Sequence, residues 1–368
     1  SRMGRPDYTL FAVTLALLVI GIVMVFSSSY STARIDTGDT FFFVKRQIMW
    51  AALGLVALAL TTRIDYRFWR QWAIPGYVVA VALLGLVLLV GDKTQGARRW
   101  IALGFMNLQP SEPAKIAVVN LLAAYVATYR SQMHTFWKGL VIPMLPVALA
   151  LGLIMKEPDL GTSVALGFTA FLMLFGAGVR MGHLVLAGVF AASVAVMMIT
   201  KEQYRMRRII AFLNPWADPS DAGWNIIQSL LAIGSGGLFG LGLGGSRQKF
   251  SYLPEQHTDF IFAILAEELG FLGSALVLLL FLVLAWRGYR IALKAPDLYG
   301  CMLAAGLTTM VTLQVVLNVA VVSALLPATG ITLPLISSGG SSLLATLTGI
   351  GVLLNISAAG QGSVSDRA

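Results

Sequence analysis

Apolar residues in this chain come in ten blocks of roughly 17 residues or more, each long enough to cross ~30 Å of hydrocarbon as a helix. The pattern predicts spans over 8–28, 45–61, 73–91, 112–129, 138–156, 159–177, 183–200, 259–287, 298–325 and 338–357. Inside a bilayer backbone amides have no water to bond to, so blocks of this kind must be helical. The expected fold class is all-α: a polytopic integral membrane protein, with residues 1–368 forming a single membrane domain. The first block, Tyr8 to about Ser28, is longer than a signal-peptide core and lacks a small-residue cleavage site, so it reads as a membrane anchor. Most connections are short. The exception, 201–258, is far longer than usual and is expected to be a functional extracytoplasmic loop.

Ten spans put the N-termini of all even-numbered helices on one side of the membrane, and the polar residues collect there. Arg46 opens the second span, Glu112 and Lys115 the fourth, Asp159 the sixth, Asp259 the eighth and Ser337 to Ser342 the tenth. The other side carries short basic turns, such as Arg63, Arg67 and Arg70, or Arg287, Arg290 and Lys294. Leaving out the long connection, twelve basic residues fall on the side of the termini and eight opposite. That imbalance predicts cytoplasmic termini and an extracytoplasmic polar face.

Composition agrees and narrows the function. With 57% hydrophobic and 12% charged residues, a soluble core is excluded. A net charge of +9 on such a chain points to anionic lipid, and no nucleic-acid motif is present. The lone Cys301 allows no internal disulfide, and His134, His183 and His257 are too scattered for a metal cluster.

Each candidate residue has a plainer role beside the chemical one. Asp259, at a helix start, could simply complement the helix N-terminus. On its face lie Ala263, Ala266 and Gly270, a strip small enough for another backbone or a ligand groove. Glu267 and Glu268 point elsewhere and read as members of a polar network. Ser111 looks like an N-cap with Pro113 in the first turn, Glu112 and Lys115 sit at ion-pair spacing, and Asp159 looks like a cap. The glycine run 234–245 is no phosphate loop, since no strand precedes it and no Gly-Lys-Ser/Thr follows; it reads as a mobile or re-entrant element. Arg205, Arg207, Arg208, Arg247 and Lys249 flank it, as headgroup anchors or as a site for a lipid diphosphate.

The stretches FFFVKRQ (41–47), RRWIALGFMNLQPSEPAK (98–115), EPDLGTS (157–163), NPWADP (214–219), LPEQHTDFIFAILAEELG (253–270) and TGITLPLISSGGSSLL (329–344) closely resemble the shape, elongation, division and sporulation family of FtsW, RodA and SpoVE. The resemblance runs from about residue 7 to 357, and SRQKFSYLPE with ISSGGSS looks more like the FtsW and SpoVE branch. It implies a ten-span peptidoglycan glycosyltransferase that polymerises lipid II, with Asp259 as the catalytic aspartate. It further implies a substrate cavity containing Arg46, Gln109, Glu112, Lys115, Asp159, His257, Ser338, Gly339, Gly340 and Ser341. Ser338 stands where the family motif has tyrosine, and Asn107 where the rod branch often has arginine. A divalent cation, magnesium or manganese, is expected to be able to sit near Asp159 or Glu112. The implied partners are lipid II, a class B penicillin-binding protein with transpeptidase activity and other divisome or sporulation membrane proteins. Two rival functions are a lipid II flippase and a non-catalytic scaffold; few polar residues in the far half of the bundle argue against transport.

Overall fold

The structure, a computed structural model, describes residues 4–94, 97–102, 107–201, 203–217, 219, 223–246 and 257–365. The helices are α1 (Tyr8–Thr37), α2 (Phe42–Arg63), α3 (Tyr66–Gln71), α4 (Ala73–Val90), α5 (Ser111–Thr128), α6 (Ile142–Lys156), α7 (Leu160–Gly176), α8 (Met181–Lys201), α9 (Gln203–Leu213), α10 (Trp224–Gly236), α11 (Ile261–Leu293), α12 (Leu298–Val322) and α13 (Gly340–Ser365). A π-helical turn, Trp137–Val141, leads into α6. Among the described residues, eight helices are long and apolar enough to cross a membrane: α1, α2, α4, α6 with its π turn, α8, α11, α12 and α13. Of the other two predicted spans, α7 is apolar but short, and α5 carries Glu112, Lys115 and Asn120. The molecule is a polytopic helical membrane protein. Its axis is α12 and α13, buried along most of their length, whereas α8 at the edge buries only Leu184.

Three details depart from the expected pattern. Hydropathy ends the first span near Ser28, yet α1 continues to Thr37, because Ser28, Ser29 and Thr37 return their hydroxyls to the helix's own carbonyls at Val25 and Ala33. The connection between α4 and α5 is not all-α: β1 (Asp92–Thr94), β2 (Ala97–Ala102) and β3 (Asn107–Leu108) pair antiparallel in sequence order, satisfying backbone groups that no helix serves. The long connection 201–258 is not one loop either, since it holds α9, a 3₁₀ turn at Pro215–Ala217 and α10.

Its glycine run splices a broken helix. Within α11, Gly270 has φ +68° and ψ −166°, which interrupts the hydrogen-bond ladder. The amides of Leu241 and Gly242 donate to the Glu267 and Glu268 carbonyls, each at 3.0 Å, and Phe271 and Leu272 donate to the Gly237 and Leu238 carbonyls at 2.8 and 3.2 Å. Irregular backbone survives at membrane depth only when protein satisfies it in this way. Gly240 sits at the crossing with φ +78°, where any Cβ would overlap the Glu268 carbonyl and the Gly270 amide. Backbone therefore occupies the small strip on the face of Asp259, with Gly236 pressed against the Ala266 carbonyl.

Candidate functional site

Three segments meet where α11 begins: 257–260, the connection 323–339 and the first turn of α13. α11 starts at Ile261 with Phe260 in the N-cap position, so Asp259 stands just ahead of the helix. Asn318 on α12 donates from Nδ2 to the Asp259 carbonyl at 2.9 Å and to the Ile331 carbonyl at 2.7 Å. One buried amide thus holds the aspartate's backbone against the neighbouring connection. The carboxylate faces bare backbone, with Oδ2 lying 3.5 Å from where a Cβ on Gly330 would be. Gly330 has φ +72°, a conformation few side-chain-bearing residues adopt. Ser337 closes the other side: its hydroxyl donates to the Thr258 carbonyl at 2.6 Å and accepts from the Leu333 amide at 2.8 Å, and its carbonyl accepts from Gln47 Nε2 at 3.3 Å. The Ser338 amide donates to the His257 carbonyl at 2.9 Å, and the His257 ring packs on Phe43 with centroids 4.4 Å apart.

A second cluster centres on Asp159, which caps α7. Its Oδ1 accepts from the Thr162 amide at 3.0 Å, and its Oδ2 from the Thr162 hydroxyl at 2.8 Å and Gln109 Nε2 at 3.2 Å. The Gln109 amide donates to the Ser341 hydroxyl at 3.0 Å, and that hydroxyl donates to the Asn107 carbonyl at 3.2 Å. Gly161 in the first turn of α7 packs on Thr329 and Ile331, so the Asp159 and Asp259 clusters flank the 329–331 segment.

Glu112 and Lys115 pair with each other at 3.0 Å, with side chains 5% and 1% exposed. Burial makes each ion depend on its partner. Ser111 is the first residue of α5 rather than its N-cap, which is Pro110, and among the described residues the Ser111 hydroxyl makes no hydrogen bond. Arg46 is half-buried with its guanidinium 5.6 Å from the centre of the Phe42 ring, one turn back along α2. Gly340 is pressed against the Trp50 indole, and Gly339 lies near Thr332 and Ser342. Arg208 donates to the Ala328 carbonyl at 3.0 Å, pinning α9 to the connection beside Asp259. Arg205 donates to the Met198 carbonyl at 3.2 Å, and Arg207 is exposed. Arg247 and Lys249 lie outside the described residues.

Three site neighbours were given no role in the sequence reading. Asn318 had a signal, as a buried amide in an apolar span. Arg99 and Glu157 did not, because their roles arise from contact between β2 and the α6–α7 turn: Arg99 Nε donates to the Glu157 carbonyl at 2.7 Å and Nη2 to the Pro158 carbonyl. The Glu157 side chain is fully buried, and among the described residues neither oxygen is hydrogen-bonded. Burial, then repulsion from Asp159, pushes its carboxyl up to about 8. Glu267 and Glu268 form the expected polar network, with Ser235 and Ser246 around Glu267 and Ser27 and the Ser246 amide at Glu268.

For a metal the donor set fits poorly. Asp159 has both oxygens engaged by hydrogen-bond donors, and Glu112 is committed to Lys115. Among the described residues no three His, Cys, Asp or Glu side chains converge as ligands, so no step is assigned to a cation.

A family model described as a cell cycle protein, for FtsW, RodA and SpoVE, matches residues 8–361. The chain belongs to that family. Stage V sporulation protein E of Bacillus subtilis (strain 168) is 48% identical over 359 residues, spanning 97% of this chain and 98% of its own. The probable peptidoglycan glycosyltransferase FtsW of Trichlorobacter lovleyi is 43% identical across 97% of this chain and 94% of its own. Among solved structures, one described as structural coordination of polymerization and crosslinking by a peptidoglycan synthase complex superposes with a TM-score of 0.80 at 31% identity, covering 96% of this chain and 97% of that one. The rod shape determining protein RodA of Thermus thermophilus superposes at 0.69, also at 31% identity, covering 96% of both chains. The higher identities to SpoVE and FtsW fit the branch read from SRQKFSYLPE and ISSGGSS.

Proposed function

We propose that this chain is a peptidoglycan glycosyltransferase that polymerises lipid II into glycan strands for septal or spore wall synthesis, with Asp259 as general base. The observation that carries the reading is the placement of Asp259: its backbone is held by Asn318, and its carboxylate faces the open backbone of Gly330 between polar clusters from α7 and α13. Asp259 takes the proton from the 4-hydroxyl of the acceptor N-acetylglucosamine as that oxygen attacks the anomeric carbon of the donor N-acetylmuramic acid. The bond from that carbon to undecaprenyl diphosphate breaks, and the diphosphate leaves with the electron pair. An α-linked donor and a β-linked product require one inverting displacement and no covalent intermediate.

General-base assistance supplies about 10²–10⁴-fold, so stabilising the departing diphosphate must supply much of the remainder. Arg46, Lys115 and the arginines of the long connection are nominated for that task. Arg205 uses one N–H on a carbonyl, which leaves further donors on its fork. Arg207 is exposed. Gln109, Glu112, Asp159, His257 and Ser338 to Ser341 shape the cavity around the sugars.

The termini face the cytoplasm and Asp259 the outside, in line with the imbalance of basic residues. A class B penicillin-binding protein is the proposed partner; likeness to a synthase complex that couples polymerization to crosslinking supports it. Other divisome or sporulation membrane proteins would join on the same side.

The test is glycan-chain formation from lipid II by the purified protein with its cognate transpeptidase, wild type against Asp259→Asn. Polymer from the wild type alone, with both proteins folded and partner-bound, is the expected result. Equal polymerisation by the variant would overturn the base assignment and bring lipid transport or scaffolding forward.

A further inference from the structure

At the end of the bundle opposite Asp259, the start of α1, the end of α11 and the end of α13 enclose a cavity of about 450 Å³. Its wall carries Asp7, Arg287, Arg290, Lys294 and Ser357. Asp7 is already committed: it caps α1 through the Leu10 amide at 3.0 Å, and it accepts the fork of Arg287, from Nε at 2.8 Å and from Nη2. Its amide donates to the Ser357 hydroxyl at 3.0 Å, which fixes α1 to α13. That pair is neutral and structural. Arg290 and Lys294, three and seven residues beyond Arg287, share its face of α11, are exposed and meet no carboxylate among the described residues. Among the described residues, two cations without a carboxylate partner therefore face one concave, partly apolar space floored by Ile291 and Ile356.

The depth of the cavity is marked by Trp286. The indole is 54% exposed, with the Arg287 and Arg290 guanidinium carbons 5.5 and 5.3 Å from its ring centre. Exposed tryptophan beside arginine at the end of a spanning helix belongs at the headgroup level. Leu282, one turn deeper on the same helix, is 64% exposed and faces acyl chains.

We propose that this cavity binds the phosphate headgroup of an anionic phospholipid, with Arg290 and Lys294 on the headgroup and the apolar floor against the start of an acyl chain. Charge complementarity, volume and depth together select this occupant. The proposal rests on neither the polymerase activity nor the orientation of the termini.

The full chain is purified and titrated with phosphatidylglycerol, and bound lipid is counted by native mass spectrometry. Wild type is compared with R290Q/K294Q and with R63Q/R130Q, which removes equal charge at the same end outside the cavity. Wild type and the R63Q/R130Q control should hold one tight lipid, and R290Q/K294Q should bind it about tenfold or more weakly. Equal losses in both double variants would show diffuse attraction and overturn the site. Equal protection of the wild type by inorganic phosphate in zwitterionic nanodiscs would replace the lipid with a free anion. A uniform drop in thermal stability of R290Q/K294Q, with lipid binding intact, would reduce the cations to complements of the helix end. For readout on the unaltered chain, a photo-crosslinking phosphatidylglycerol should label the peptide spanning 286–294; labelling confined to other helices would overturn the proposal.

Discussion

Replacing Glu157 with glutamine should remove one component of the protein's pH dependence, a loss of stability that the wild type suffers as pH rises. The carboxyl is fully buried, neither oxygen is hydrogen-bonded among the described residues, and burial with repulsion from Asp159 raises it from 4.5 to about 8. In the unfolded chain it titrates near its ordinary value. A folded pKa above the unfolded one means that the native state holds the proton more tightly. Its stabilising contribution is complete below about pH 4.5, declines as pH rises, and is lost above about pH 8. At ~1.4 kcal/mol per pH unit, the decline has an upper limit of roughly 5 kcal/mol. The assay is thermal unfolding in micelles from about pH 5 to about pH 9 for wild type and Glu157→Gln. The wild-type Tm should fall relative to the variant across that window, and the difference between the two curves isolates Glu157 from every other titrating group. Parallel curves would refute the reasoning, because they would mean that Glu157 ionises in the native state as easily as in the unfolded chain.

Gly240→Ala should cost roughly 2–5 kcal/mol, because φ is +78° and the new Cβ overlaps the backbone that splices α11. Gly85→Ala, which meets nothing within 4 Å, should leave Tm nearly unchanged, and equal effects of the two would disprove the splice argument. Asn318→Leu removes the donor shared by the Asp259 and Ile331 carbonyls and should lower stability by about 1–3 kcal/mol. It should also reduce kcat for polymerisation more than it raises KM, by displacing the base; a well-folded variant with normal kcat would show that Asp259 needs no such support.

The helices were readable because apolar block length answers to the bilayer, a local rule. Their ends were less readable. Ser28, Ser29 and Thr37 look like a stop to a hydropathy reading, but their hydroxyls bond to their own helix, so α1 runs on. The strands between α4 and α5 are too short to show alternation and exist because they pair with one another. Asp159 was legible as a cap from its place before Leu160. Glu157 and Arg99 acquire their roles only through contact with each other's segment.

Residue order by itself determined that this is a multi-pass helical membrane protein, where its polar residues cluster, and which family motifs it carries. All three depend on residue type and spacing along the chain. Tertiary structure alone decided which helices lie at the centre, what splices α11 at Gly270, and that Asn318 holds Asp259 across 59 positions of sequence. The physical reason is that lipid-facing and protein-facing residues are equally apolar in a bilayer: Leu89 and Phe190 are exposed, while Leu84 and Leu347 are fully buried. With no hydrophobic contrast between faces, packing is chosen by shape, by small residues and by the few polar groups that must find one another.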